Sequence, residues 1–401
     1  MMREESSRRG FLALTAALGA AFGACGGGED APTEAPSRLG APVSGYGERS
    51  RFETSRRYMA QTKTPEQAAS LTPLEESEGI ITPSALHFER HHAGIPAINP
   101  DEHELLIHGL VERPLRLTMA DLRRLPSTSV IRFIECSGNS RSEWTKPAPT
   151  AQISHGMASC SEWTGVSLRL LLDEAGLKPE ARWMICEGAD ACRMARSLPI
   201  EKLLEDCMVV YGQNGEALRP EQGYPLRLLV PGWEGNVSVK WLRVLKATAG
   251  PGQTRDETSK YTDLMPNGEA RQFTFDMEAK SLITSPSGGQ KLPGSGFYEI
   301  RGLAWSGRGL IEKVEVSTDG GSSWQEAELQ EPRFPKAFTR FRLPWRWEGG
   351  ETSLVCRAID ETGYVQPTVE ELVAVRGTDS SYHNNGTKAW KVAADGSVTN
   401  V

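Results

Sequence analysis

Cys136 sits in Ile131-Arg132-Phe133-Ile134-Glu135-Cys136-Ser137-Gly138-Asn139-Ser140-Arg141, where an alternating apolar run delivers one thiol into a small turn-forming segment. An arginine follows five positions later. A thiolate beside fixed positive charge is a nucleophile of lowered pKa or a ligand for a soft metal. The competing reading is an inert core thiol, the commoner fate of a cysteine. The Gly-Asn turn and Arg141 are unusual company for such a residue.

Three of the seven histidines fall in His87-Phe88-Glu89-Arg90-His91-His92. Neighbouring residues in an extended chain face opposite ways, so His91 and His92 suit a long polar ligand lying along the backbone better than one ion. A solvated loop is the alternative. His103 and His108 are five apart and leave a common helix face, which excludes a zinc-protease pair. Farther along come Glu187-Gly-Ala-Asp190, Gly223-Tyr-Pro-Leu-Arg227 and Val237-Ser238-Val239-Lys240-Trp241. Backbone approach through glycine with two fixed cations, Arg227 and Lys240, suits a phosphate-bearing cofactor.

The elements that must position these groups are short strands alternating with short helices. A strand is expected from Glu104 and a capped helix over 118–126 that ends at a proline. A second helix over 167–175 has a serine cap and Gly176 beyond it. Strands are expected at 226–230 and 237–242. No phosphate-cradling Gly-x-Gly-x-x-Gly follows a strand, so a doubly wound nucleotide fold is excluded. From about Gly296 the texture becomes all-β: a hairpin at 312–324 and alternating strands at 338–343 and 352–360. This predicts an α+β chain: a mixed catalytic domain at 81–275, then an immunoglobulin-like β-sandwich at 276–380. Trp305, Trp324, Trp345 and Trp347 are expected in its core and rim or on a dimer surface. The tail 381–401 shows no sandwich periodicity.

The first 25 residues read as an export signal: Ser7-Arg8-Arg9-Gly10-Phe11-Leu12 is a twin-arginine motif before a short Ala-rich run. Phe22-Gly23-Ala24-Cys25 resembles a lipoprotein box that would leave Cys25 lipidated as an anchor; plain cleavage near Ala24 is the alternative. Twin-arginine transport carries folded proteins, which predicts a bulky cofactor and a periplasmic location. Residues 26–80 are Gly-, Pro- and Ser-rich and read as a flexible linker. The net charge of −7 includes no basic block past the signal, so nucleic acid is excluded as a partner. Seven cysteines include no Cys-x-x-Cys, which argues against zinc ribbons and covalently attached haem. Cys186 and Cys192 are near enough in sequence to pair, and the spacing does not decide it.

Taken in order, Phe88-Glu-Arg90-His-His92, Cys136-Ser-Gly-Asn-Ser-Arg141, Glu187 to Asp190, Gly223 to Arg227 and Val237 to Trp241 resemble the sulfite oxidase family. The resemblance runs over about 86–268 and on into the sandwich, which is similar to that family's dimerisation domain. Arg90-His-His-Ala-Gly-Ile-Pro96 and Asp256-Glu-Thr-Ser-Lys-Tyr261 resemble its sulfane dehydrogenase branch, the C subunit of the thiosulfate-oxidising Sox system.

The resemblance implies a molybdenum–molybdopterin cofactor with Cys136 as metal ligand and no haem on this chain. Phe88, His91, His92, Asp190, Gln222, Arg227, Ser238, Val239 and Lys240 fall on cofactor-contacting positions, Gln222 where animal enzymes carry histidine. Arg90 and Arg141 fall on two arginines that face a substrate oxyanion. Tyr261 falls on the active-site tyrosine, and His155 near a tryptophan of the anion pocket. The activity implied is oxidation of sulfite, or of sulfane sulfur on a carrier protein, by oxygen-atom transfer. Electrons would pass to a c-type cytochrome, in a homodimer or a heterotetramer with a cytochrome subunit. Two alternatives remain: a molybdopterin-dependent reductase of sulfoxides or other oxo-acceptors, and a lipid-anchored binding or assembly protein with no turnover.

Overall fold

The computed structural model describes residues 42–60, 64–379 and 381–401; the twin-arginine motif and Cys25 lie outside them. The chain divides at Glu53 into two units. The described part of the first, 42–53, contains neither helix nor strand, and the second holds everything that follows.

Two five-stranded sheets build the catalytic half. In the first, Glu216–Ala217, Met208–Gln213, Ala158–Ser167 and Thr128–Glu135 lie in that order, with Arg227–Leu229 also paired to Met208–Gln213. In the second the order is Leu115–Thr118, Glu104–Gly109, Leu242–Thr248, Trp183–Gly188 and Ala195–Pro199. Glu104–Gly109 and Leu242–Thr248 run parallel and the other neighbours antiparallel. Helix Met119–Arg124 starts from a capping box in which Thr118 and Asp121 satisfy each other's backbone N–H groups. Helix Leu168–Ala175 buries Leu168, Leu171, Leu172 and Ala175 and stops at Gly176, where φ is +69°.

The strand Thr128–Glu135 carries the whole design. Its register against Ala158–Ser167 runs from Thr128 opposite Gly165 to Glu135 opposite Ala158. Side chains alternate between faces. Phe133 therefore enters the sandwich-side core, while Ile134 joins a separate cluster with Phe88, Trp163 and Leu229. One step on, Glu135 faces the sandwich and Cys136 packs on the Ile134 side.

The sandwich stacks Lys280–Ser285, Gly296–Trp305, Thr339–Trp347 and Glu328–Leu329 against a five-stranded sheet. That second sheet contains Gln325–Glu326, Ile311–Ser317, Thr352–Asp360, Ala389–Val392 and Val398–Asn400. Trp305, Trp345 and Trp347 are buried in it, and Arg357 stacks on Trp324 at 4.2 Å. The union with the catalytic half is polar as well as apolar. Buried Glu135 meets Lys280 at 2.5 Å and accepts the Trp305 indole N–H at 2.7 Å.

Three sequence expectations change. The linker expected to reach residue 80 is ordered earlier: Ala69–Leu71 pairs with Tyr58–Ala60 on one side and Glu89–Arg90 on the other, and Leu74 is buried. Its apolar residues are few, but they land on a sheet edge. The tail does join the sandwich, because Trp390, Val392 and Val398 supply the apolar positions of its last two strands. The strand expected at 237–242 is a 3-10 turn, Gly235–Val237, followed by loop, and the strand begins only at Leu242. Ser238 there spends its hydroxyl on the Val230 backbone N–H, and Trp241 takes φ +53°. All six described cysteines are free thiols, Cys186 and Cys192 included. No described helix is long and apolar enough to cross a membrane.

Candidate active site

Cys136 opens onto a cavity walled by loops that leave the ends of these strands. Phe88, Arg90, His91, His92, Asp190, Gln222, Arg227, Ser238, Val239, Lys240 and Tyr261 line it, so twelve expected residues, Cys136 among them, meet in one place. The cysteine's loop is fixed by its own polar groups. Cys136 N–H donates to Met157 O at 2.9 Å, and Asn139 ties back to Glu135 at 2.9 Å and to the Met157 N–H at 3.1 Å. Gly235 passes so close that an added Cβ would lie 2.8 Å from Glu135 O. Gly223, at φ +109°, lets its turn press against Lys240, where an added Cβ would sit 3.1 Å from its Cα.

Lys240 organises the cationic wall. Its ammonium donates to Arg90 O (3.2 Å), Glu221 O (3.1 Å) and His91 Nδ1 (2.9 Å). Burial, with Arg227 adding repulsion, pushes its pKa down to about 7. Burial alone lowers Arg227 to about 9; its guanidinium is held by Ser238 O at 3.2 Å and Gln222 Oε1 at 3.0 Å. Gln222 in turn donates to Phe88 O at 2.9 Å. Asp190 accepts from Met194 N–H at 3.0 Å and from the Cys192 thiol at 2.8 Å.

The adjacent histidines do face apart. His91 spans Lys240 and Glu89, its Nε2 2.8 Å from Glu89 Oε2. His92 meets the Tyr261 hydroxyl at 3.1 Å. Burial and then Arg90 drop the His92 pKa to about 4, and burial lifts the Tyr261 phenol well above its usual value. Near neutral pH this pair is therefore an uncharged imidazole and an intact phenol.

The expected lowering of the Cys136 pKa does not occur. Burial pushes the thiol up and outweighs the opposing Gly138 backbone and Arg90. Binding a metal would release that proton.

Two expected residues stand outside the cavity. Arg141 is exposed on the turn Arg141–Trp144 and lines an outer groove with Ser140 and Met157. Arg90 lines both spaces, so the two arginines lie in series. His155 is buried, bonded to Ser154 at 2.7 Å, and borders a different groove beside Glu143 and Lys388. Sequence reasoning missed Met194 and Asn236 in the cavity wall. It also missed Arg196, which is fully buried 3.0 Å from Glu234 and lies over the Tyr261 ring at 4.9 Å. No spacing marks these residues; Arg196 is explained only as a buried charge needing a partner.

The donor set fits a soft-metal pterin cofactor. One thiol faces a cavity edged with cations, and among the described residues no cluster of three or more His, Cys, Asp or Glu could hold an ion. The metal would thus rely on sulfur donors brought by its organic ligand.

Residues 92–255 match the oxidoreductase molybdopterin binding domain, and 271–389 match the Mo-co oxidoreductase dimerisation domain. The sulfite oxidase of Gallus gallus is 30% identical over 386 residues, covering 88% of this chain and 82% of that protein. The chain belongs to the sulfite oxidase family. The NADH nitrate reductase of Ulva prolifera is also 30% identical, over 73% of this chain but 38% of its own length. The crystal structure of the sulfane dehydrogenase SoxCD from Paracoccus pantotrophus superposes with a TM-score of 0.89 at 48% identity, over 91% of this chain and 96% of that one. Membership makes this chain a molybdenum-dependent oxidoreductase, with a molybdopterin-binding domain followed by a dimerisation domain.

Proposed function

We propose that this protein oxidises a sulfur compound, either sulfite or sulfane sulfur carried on a partner protein's cysteine. One observation carries the reading: Cys136 opens onto a cavity in which Arg90 and the neutral His92–Tyr261 pair converge. When bound, the molybdenum–molybdopterin group supplies oxygen-atom transfer and accepts two electrons. Arg227, Lys240, His91 and Gln222 would hold its polar periphery through charge-assisted hydrogen bonds. Cys136 would bind the metal as thiolate.

The two arginines in series give a path for an anion. Arg141 attracts it at the groove and Arg90 orients it by charge-assisted hydrogen bonds, which is the positioning such a reaction needs. Tyr261 keeps its proton and, through His92, can give or take one at the phenol oxygen. The likeness to a sulfane dehydrogenase favours the carrier-bound substrate, and the likeness to sulfite oxidase favours the free anion. Electrons would leave to a c-type cytochrome, free or as a bound subunit, and the sandwich would pair two copies. The twin-arginine motif supports export to the periplasm in folded form, with Cys25 a candidate anchor.

The test is elemental analysis of protein made in a host that synthesises molybdopterin, followed by turnover with sulfite and a cytochrome acceptor. One molybdenum per chain with sulfite-dependent reduction of the acceptor is expected. Metal-loaded protein that only reduces sulfoxides would reverse the direction, and protein that binds no molybdenum would remove the reading.

A further inference from the structure

Tyr261 is held in a conformation that an aromatic residue rarely adopts, with φ at +52°. Such a backbone persists only where its surroundings fix it. His92 holds the hydroxyl and Arg196 covers the ring. The Tyr382 hydroxyl is hydrogen-bonded by the Tyr261 backbone, and the two rings lie 5.4 Å apart. Tyr382 comes from the segment between helix Val369–Arg376 and strand Ala389–Val392, beyond most of the sandwich.

That segment is anchored on the other parts of the site. His383 N–H donates to Ser137 O at 2.8 Å, next to the metal-ligand position. Lys388 reaches Glu143 at 2.7 Å, on the turn that presents Arg141. Gly138 lies between the two: a Cβ there would meet Cys136 Sγ at 3.9 Å and Tyr382 Cδ1 at 4.0 Å, both ordinary contacts.

We propose that Tyr382 is a positioning residue that fixes Tyr261, so that the tail leaving the sandwich completes the oxyanion site of the catalytic domain. This rests on the proposed function for what Tyr261 does, but not for how it is held. The hydroxyl of Tyr382 fixes the Tyr261 peptide and its ring blocks rotation of the phenol away from His92.

The test compares full-length, metal-loaded wild type with Y382F, Y382A, Y261F and Y261F/Y382A. Hydrogen exchange in the peptide 255–264 should rise about tenfold in Y382A and less in Y382F, as expected for loss of one coupled contact. Turnover of sulfite should fall about tenfold in Y382A, and the double variant should be no slower than Y261F alone. Unchanged exchange in Y382A overturns the proposal, and so does a double variant whose defect is the product of the two single ones. Should Y382A lose its thermal stability or its metal, Y382F decides: raised exchange at wild-type melting temperature supports the proposal, and unchanged exchange overturns it. A wild type that oxidises neither sulfite nor a persulfide on a carrier cysteine defeats the proposed function instead, and exchange still decides the role of Tyr382.

Discussion

The sandwich and the cavity wall are built on opposite rules. In the sandwich the buried positions are apolar and regular, as in Ile311, Val314 and Val316 along one strand and Leu354, Cys356 and Ala358 along its neighbour. Around the cavity buried Phe88, Val239 and Trp241 are joined by buried polar and charged groups: Arg196, Gln222, Arg227, Glu234 and Ser238. An apolar side chain is content with any dry neighbour. A buried charge must find particular partners, and those come from remote parts of the chain. The sandwich is thus specified by period and the cavity by pairing.

The sharpest way to break this contrast uses the same residue type in both regions. Burial raises the pKa of Cys136 and that of Cys356, the latter to about 12. C136S should keep the fold and lose turnover by more than about 10⁴-fold, over ~5 kcal/mol of barrier, because an alcohol is a poor soft-metal ligand. C356A should keep turnover and lose about 1 kcal/mol of stability through a small cavity. Steady-state rates and urea midpoints on both variants settle it; equal effects would erase the distinction.

The next largest effect is expected where the regions meet. Lys280 belongs to the first sandwich strand, but its ammonium is buried against Glu135, one residue before Cys136. K280M leaves that carboxylate without its cation and should cost about 3–5 kcal/mol. E135Q/K280M removes both charges and should recover much of the loss, read as denaturant midpoints. A double variant as unstable as K280M would mean that packing, and not pairing, joins the halves.

Within the site, the series arrangement of the arginines predicts unequal variants. R90A removes the group that borders both spaces and should raise KM for an oxyanion by roughly 10–100-fold, the worth of charge-assisted hydrogen bonds. R141A removes an exposed charge and should cost about fivefold or less, declining with added salt. Equal KM effects would place both arginines on the bound anion together.

The same two rules explain what the sequence revealed. Strand Thr352–Asp360 matches its expected bounds, and the helix expected over 167–175 is the observed Leu168–Ala175 with Ser167 at its cap, since period and caps are local signals. Cys136 and the residues that meet it in the cavity were legible through motif order. The loop 238–241 reads as strand in the sequence, because alternating Val237, Val239 and Trp241 imitate a strand while their backbone turns to serve the cavity. Tyr382, His383 and Arg196 carry no local signal; His383 and Tyr382 act through Ser137 and Tyr261, each more than a hundred residues away, and Arg196 through Glu234 and the Tyr261 ring.

The smallest effect tests whether the cavity wall is poised for an anion. Lys240 has a folded pKa of about 7, far below that of an exposed lysine. Between that value and the ordinary value near ~10.5, the unfolded chain binds a proton that the cofactor-free folded chain lacks, so stability contributed by this group rises with pH across that window. An anion placed beside the ammonium favours the charged form and lifts its pKa again. Binding of inorganic pyrophosphate to cofactor-free protein should therefore take up about one proton at pH 8 and almost none well below pH 7. Calorimetry in buffers of different ionisation enthalpy measures this uptake directly. K240R stays charged throughout and should bind without it. Uptake that persists in K240R would move the titration to another group, such as His91, which is also lowered by burial and shares its Nδ1 with the ammonium.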